Sequence, residues 1–148
     1  MGFTDRELLA RIIMCEAGGE GENGMKAVAT VIMNRTNSSA GEYQRVSEGG
    51  NIRNIIMQKG QFNCATDTLG GKYNPQNIYN MSPEQIHYDI ADWALSGNSL
   101  NEIGICLWFM NPFKPNCPNT FPYNGTGSFH TRLNKHCFFT PTPLYYKS

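Results

Sequence analysis

Apolar residues in the first third of the chain recur at three- and four-residue spacing, which predicts two amphipathic helices. The first begins at Thr4, which forms a capping box with Glu7, and ends at Gly18-Gly19. The second runs from about Asn23, its cap, to Arg35. Its apolar face is formed by Ala27, Val28, Val31 and Ile32. We expect the two helices to pack side by side.

The middle of the chain alternates polar segments with two further predicted helices. Residues 36–51 are polar and rich in glycine, and the spacing of Ile52, Ile55 and Ile56 then predicts a third helix. Residues 60–81 show no sustained period, which predicts a long loop, and long loops in compact domains are usually functional or disordered. Ser82 provides a cap, Pro83 a first-turn proline and Gln85 a capping-box glutamine for a fourth helix that ends at Gly97.

Two short apolar runs near the C-terminal end predict the strands of a small sheet. They cover residues 105–109 and 137–139, and each is stopped by a nearby proline. Residues 111–128 are rich in proline, asparagine and glycine and predict a loop within the domain. A chain of 148 residues has the size of one domain. We therefore predict a single α+β domain over residues 1–148, with a helical N-terminal lobe and a small β C-terminal lobe.

Charge and hydropathy exclude two classes of partner. The 12 basic and 12 acidic residues cancel, so we expect no binding to nucleic acid. No run approaches the roughly eighteen apolar residues of a membrane span. The N-terminal segment is charged from Asp5, unlike a secretory signal. Three explanations are open. The protein acts inside the cell that makes it, it is delivered by assembly or lysis, or an upstream segment precedes this sequence.

The five cysteines lie at irregular spacing and form no CxxC pair; they are Cys15, Cys64, Cys106, Cys117 and Cys137. This pattern indicates neither a structural zinc site nor a dense disulfide framework, so buried or reducible thiols are the default expectation. We expect no metal and no cofactor.

Glu16 is the first candidate for chemistry because it shares the helical stripe of Leu9, Ile12 and Ile13. A carboxyl group on an apolar stripe must be paired, neutral or beside a cleft, and burial raises its pKa toward the value that a general acid needs. The alternative is a structural one, in which Glu16 at the helix end simply reaches water.

The segment from Leu8 to Arg35 resembles the opening signature of the SleB/CwlJ family of cell-wall hydrolases. That signature combines an AEA-type catalytic glutamate, a Gly-Glu pair, an apolar core and a closing Asn-Arg. The matching residues are Cys15-Glu16-Ala17, Gly19-Glu20 or Gly21-Glu22, Ala27-Val28-Ala29 with Val31-Ile32, and Asn34-Arg35. Cys15 stands where alanine is usual.

Later segments continue the resemblance in the same order, at Gln61-Phe62, residues 108–112 and residues 135–138. Residues 116–118 and 136–142 resemble the CwlJ branch most closely. Because Cys117 and Cys137 both belong to that branch's motifs, we predict that they approach each other and can form a bridge.

The resemblance implies a fold like that of lysozymes and lytic transglycosylases, and cleavage of β-1,4 bonds in the glycan strands of spore cortex peptidoglycan during germination. Glu16 would protonate the leaving oxygen. A hydrolase would need a second carboxylate, for which Glu20, Glu22 and Asp67 are the candidates. Without one, Glu16 would deprotonate the C6 hydroxyl of the sugar, as in lytic transglycosylases.

The motifs also point to residues that would hold the sugar rings, namely Gln61, Phe62, Trp108, Asn111 and His136. For Phe62 and Trp108 a purely structural role in the core is an equal alternative, and a structural role is the commoner one for histidines such as His136. We expect a cleft between the two lobes, with Glu16 on one wall and these residues on the other. The CwlJ branch implies synthesis without a signal peptide, a location at the boundary of spore coat and cortex, and spore-coat proteins as further partners.

Three other readings are open at this stage. A cysteine peptidase acting on wall peptides would pair Cys64 with His87, His130 or His136. A zinc amidase would require three ligands such as His130, His136 and a carboxylate, although no metal-spaced motif occurs. A wall-binding or spore-coat module without catalysis would use the same aromatic residues to hold glycan.

Overall fold

The computed structural model describes residues 2–148 and contains a helical lobe followed by a small sheet. The α-helices are α1 (Asp5–Ala17), α2 (Gly21–Thr36), α3 (Gly41–Ser47), α4 (Ile52–Ile56), α5 (Gln85–Leu95) and α6 (Pro143–Tyr146). The strands are β1 (Thr68–Leu69), β2 (Lys72–Tyr73), β3 (Trp108–Met110), β4 (Gly127–Leu133) and β5 (His136–Pro141). Short 3-10 helices cover Asn63–Ala65 and Ile78–Asn80. The α+β prediction is confirmed.

Helix α1 is the centre of the helical lobe, where it packs against α2, α4 and α5. Its start is the predicted one, since the Thr4 hydroxyl accepts a hydrogen bond from the Glu7 amide at 3.1 Å. Its stripe of Leu9, Ile12 and Ile13 is fully buried. Burial of this stripe holds the last turn of the helix, which carries Glu16, against the rest of the domain.

The main sheet is antiparallel, with β5 between β3 and β4. Trp108 pairs with Phe139, and Met110 pairs with Cys137. All four residues from His136 to Phe139 are buried, which explains why β5 reads as an apolar run. The end of the β4–β5 hairpin, at Asn134, faces the turn between α1 and α2, because the Asn134 amide group donates to the Glu20 carbonyl at 2.6 Å.

Two predicted helix starts were wrong by two or three residues. Helix α2 begins at Gly21, so Asn23 lies inside it and Glu20 takes the cap position. Helix α5 begins at Gln85, after Ser82 and Pro83, with Glu84 as its cap. There the Glu84 amide donates to Nδ1 of His87 at 2.9 Å, so a histidine occupies the place that a capping-box glutamine was expected to take.

Strands β1 and β2 and the two 3-10 helices lie in the segment that was expected to be a loop, and α3, β4 and α6 were not predicted either, because each has a weak sequence signal. Helix α3 has only Tyr43 and Ser47 buried, which is too few to establish a helical period. Strand β4 lies at an edge of the sheet and has only Gly127 buried, so it lacks an apolar run. Helix α6 is a single turn. The first predicted strand also starts later than expected, since Asn34 binds the carbonyls of Gly104 and Cys106 at 2.9 Å, ahead of β3.

Two disulfides correct the expectation of reducible thiols. Cys117 and Cys137 are bonded, with their Cα atoms 6.0 Å apart, which confirms the predicted approach. Cys15 and Cys64 form a second, unpredicted bridge that joins the last turn of α1 to the 3-10 helix at Asn63–Ala65. Cys106 is buried as a thiol.

Within residues 2–148, none of the helices is long and apolar enough to cross a membrane.

Candidate active site

Glu16 lies in the last turn of α1, at the point where two cavities meet. One cavity, of about 460 Å³, extends toward Glu20, Asn111 and His136. The other, of about 260 Å³, extends toward Arg35, Gln61, Phe62 and Trp108. Glu16 and Phe109 line both of them. The two cavities adjoin at these two residues, and together we call them the groove.

The electrostatics of the site bring the pKa of Glu16 close to neutral pH. Burial raises the pKa of Glu16 to about 7, against a lowering by the positive charge of Arg35 and by the nearby backbone amide of Cys64. The Cys15–Cys64 disulfide holds that amide beside the end of α1. A carboxyl group with this pKa can both donate and accept a proton at neutral pH.

Arg35 is a buried cation on α2 whose guanidinium is fixed from several sides. Its Nε donates to the Leu107 carbonyl at 2.6 Å, and one terminal nitrogen donates to the Gln61 side-chain oxygen at 3.5 Å. The guanidinium lies 4.7 Å from the ring centre of Tyr43 and 5.1 Å from that of Phe62. Arg35 was not among the predicted site residues, although the Asn-Arg pair that ends the signature contains it.

Gln61 belongs to the same network, because its side-chain oxygen also accepts a hydrogen bond from the Tyr43 hydroxyl at 2.9 Å. Phe62 and Trp108 are 6% and 3% exposed, so they form the wall and floor of the smaller cavity rather than open platforms. Trp108 also packs edge-on against Tyr145 in the core. Most of the surface of both side chains is therefore buried in the core, as the structural alternative for these residues predicted.

The opposite end of the groove contains a linked pair, Glu20 and His136. His136 Nδ1 donates to the Glu20 carboxylate at 3.1 Å, and the Lys135 amide donates to the same oxygen at 3.0 Å. Burial lowers the pKa of His136, while the Glu20 charge raises it and Arg132 lowers it further. With Nδ1 protonated, Nε2 of neutral His136 is an acceptor.

The structure brings six of the predicted site residues to the groove beside Glu16; these are Glu20, Gln61, Phe62, Trp108, Asn111 and His136. Glu22 lies elsewhere, on the exposed first turn of α2, where it pairs with Lys26 at 2.9 Å. Asp67 is exposed before β1 and lines neither cavity. Of the three carboxylates considered as partners of Glu16, Glu20 is the one in the groove.

The cysteine peptidase reading is wrong, because Cys64 is bonded to Cys15 and has no thiolate to offer. His87 caps α5, and His130 contacts the Glu102 carbonyl at 3.0 Å. Among residues 2–148 no three histidine, cysteine, aspartate or glutamate side chains are grouped as a metal site would require.

Comparison with known proteins places this chain in a family. A family model described as cell wall hydrolase matches residues 19–139. The chain belongs to the SleB/CwlJ family of cell wall hydrolases. It is 27% identical to the cell wall hydrolase CwlJ of Bacillus subtilis over 139 residues, which cover 94% of this chain and 87% of that protein. It is 24% identical to CwlJ of Halalkalibacterium halodurans, over 93% of this chain and 86% of the relative.

A solved structure confirms the fold. The catalytic domain of the germination-specific lytic transglycosylase SleB from Bacillus anthracis matches with a TM-score of 0.65 and 23% identity, over 94% of this chain and 98% of that one. The SleB catalytic domain of Bacillus cereus matches with a TM-score of 0.66 over 94% of this chain and 93% of its own. Membership of the family supports an enzyme that acts on peptidoglycan.

Proposed function

We propose that the protein cleaves the β-1,4 glycosidic bonds of spore cortex peptidoglycan, with Glu16 as both acid and base. The observation that carries this proposal is the position of Glu16 between the two cavities, where burial raises its pKa to about 7. The family model begins at residue 19, after Glu16, so the role of this residue depends on its geometry and on the signature around it.

Protonated Glu16 donates its proton to the glycosidic oxygen while positive charge develops at the neighbouring anomeric carbon. The resulting carboxylate then removes the proton of the C6 hydroxyl on the same sugar. The C6 oxygen bonds to the anomeric carbon and closes a 1,6-anhydro ring. Glu16 regains its proton, and no water is consumed.

The transglycosylase route needs only one catalytic carboxyl group, and Glu16 can provide it. Glu20 is the other carboxylate in the two cavities, and one of its oxygens already accepts hydrogen bonds from His136 and from the Lys135 amide. Its side chain is 9% exposed. A group held in this way connects the turn after α1 to the β4–β5 hairpin and is poorly suited to activating a mobile water. A transglycosylase route is therefore preferred over a hydrolytic one.

We infer the biological role of the protein from the names of its relatives. The names of the CwlJ proteins and of the germination-specific SleB domain support a role in cortex breakdown during germination. Like the CwlJ branch, the protein would act at the boundary of spore coat and cortex.

Mass spectrometry of the fragments released from purified cortex in ¹⁸O-labelled water tests the route. We expect new ends that are anhydro sugars without ¹⁸O. Reducing ends that contain one ¹⁸O atom would contradict the transglycosylase route and indicate hydrolysis. Binding to cortex without any released fragment would instead support the wall-binding module and overturn the proposed activity.

A further inference from the structure

Phe113 is an aromatic side chain with almost no protein contact, at the edge of the groove. It is 89% exposed, more than any other large apolar residue described, and it lines the larger of the two Glu16 cavities. An apolar ring in this position exposes to water a surface that nothing else in the described chain covers. It was not among the predicted site residues.

The backbone at Phe113 is in a conformation that a bulky residue rarely adopts. Its φ is +56°, in the left-handed region. The Phe113 amide donates to the side-chain oxygen of Asn111 at 2.7 Å, which closes a tight turn and maintains this conformation. Unfavourable backbone conformations of this kind concentrate at ligand sites, where they direct a side chain.

The loop that carries Phe113 is firmly held, so the exposed ring is not simply part of a frayed segment. On one side it follows β3 directly, and on the other the Cys117–Cys137 disulfide attaches it to β5. Arg132 of β4 donates to the carbonyls of Lys114 and Pro115, at 3.1 and 2.6 Å. Immobilising the loop reduces the entropy lost when a ligand binds to the ring.

We propose that Phe113 is the stacking platform for a pyranose ring of the glycan strand, in the part of the groove beside Glu20 and His136. This inference rests on the proposed function and adds a binding subsite to it. A pyranose has an apolar face of C–H groups and an edge of hydroxyl and amide groups. The ring of Phe113 covers the apolar face, and the polar side chains of Asn111 and His136 in the same cavity meet the edge. Asn111 also positions Phe113, because its side-chain oxygen accepts the hydrogen bond of the Phe113 amide.

Binding measured without turnover tests this subsite. In the Glu16→Gln background, co-sedimentation with purified cortex peptidoglycan should show Phe113→Ala binding about tenfold more weakly, from loss of one buried ring face. Phe113→Trp should retain affinity. The matched control is Tyr73→Ala, an exposed aromatic on β2 that lines neither Glu16 cavity.

A fourth variant separates a binding role from a structural one. Glycine adopts a positive φ without steric cost, so Phe113→Gly should leave the melting temperature unchanged or raise it while it weakens binding. In enzyme with Glu16 intact, Phe113→Ala should raise KM about tenfold and leave kcat within about twofold.

The inference is overturned if Phe113→Ala and wild type bind cortex equally well, or if the weaker binding is matched by unfolding of the variants. If cortex is cleaved normally and only the Phe113 effects are missing, the subsite alone fails. If wild type releases no glycan fragments yet its binding depends on Phe113, the proposed function fails and the subsite remains as a glycan-binding site.

Discussion

Glu16 shows how the surroundings of one carboxyl group set its chemistry. Burial raises its pKa from the ordinary 4.5 to about 7, and the Arg35 charge and the Cys64 amide prevent a larger shift. An equally buried carboxyl group without these two contacts would have a higher pKa. It would stay protonated at neutral pH, so little of its basic form would be present. The same shift affects the stability of the folded protein, because the folded state binds this proton more tightly than the unfolded state. The resulting stabilisation is fully present below pH 4.5 and is lost as the pH rises through about 7.

The activity should therefore depend on pH through Glu16. Because the protonated form is the proton donor, we expect kcat/KM to fall as the pH rises above about 7. Arg35→Met removes a charge that lowers this pKa, so the fall should move to higher pH. Arg35→Lys keeps the charge and should stay closer to wild type. The measurement is a pH profile of fragment release.

The Arg35 substitutions also disturb structure, since Arg35→Met leaves the Leu107 carbonyl without its donor at a cost of about 1–3 kcal/mol. Melting curves at each pH separate this loss from the titration. Wild type and a folded Arg35→Met protein with the same descending limb would contradict the role given to the Arg35 charge.

At the scale of elements, the site depends on the junction between the end of α1 and the 3-10 helix at Asn63–Ala65. Helix α1 contributes Glu16, and the 3-10 helix contributes the Cys64 backbone amide, which lowers the pKa of Glu16. The Cys15–Cys64 disulfide joins the two elements across 49 positions of sequence. Cys15 therefore has a structural role at the position where the resemblance led us to expect alanine.

Removing this disulfide should cost both stability and activity. In the chain-entropy model a loop of this length contributes about 4 kcal/mol, so Cys15→Ala with Cys64→Ser should lower the free energy of unfolding by roughly that amount. Activity should fall further than unfolding accounts for, because the Cys64 amide is no longer held at Glu16. Cys106→Ala, which removes the buried free thiol, is the control. Denaturation curves and fragment release on the same samples measure both effects. A folded enzyme that lacks the disulfide and is fully active would contradict the role of the bridge.

The elements that the sequence predicted correctly are those whose signals are local. Helix α1 has its cap and its buried stripe within one segment, and β5 is a continuous apolar run. The sequence did not predict the Cys15–Cys64 bridge or the network of Arg35 with Gln61, because each joins residues that are distant in sequence and meet only in the tertiary fold. Phe113 gave no signal either, since an exposed aromatic in a proline-rich loop has no periodicity.

At the scale of the whole molecule, the groove lies where the helical lobe meets the sheet. Its helical side comes from α1, α2 and residues 60–63, and its other side comes from β3, β5, the loop after β3 and Phe121-Pro122. The lobes are joined across the groove region by the hydrogen bonds of Glu20 to Asn134, Lys135 and His136. Such a frame can hold a long glycan in one orientation relative to a single carboxyl group, which is what proximity effects require.

The most direct test of the account is fragment release from purified cortex by Glu16→Gln against wild type. The amide keeps the shape of the side chain and removes the proton, so we expect at least about a hundredfold loss of activity. The variant should be folded and, at pH 8, at least as stable as wild type, because the unfavourable buried charge is gone. Glu102→Gln, at an exposed residue outside both cavities, should be fully active. A folded Glu16→Gln protein that retains more than about a tenth of wild-type activity would contradict the central claim.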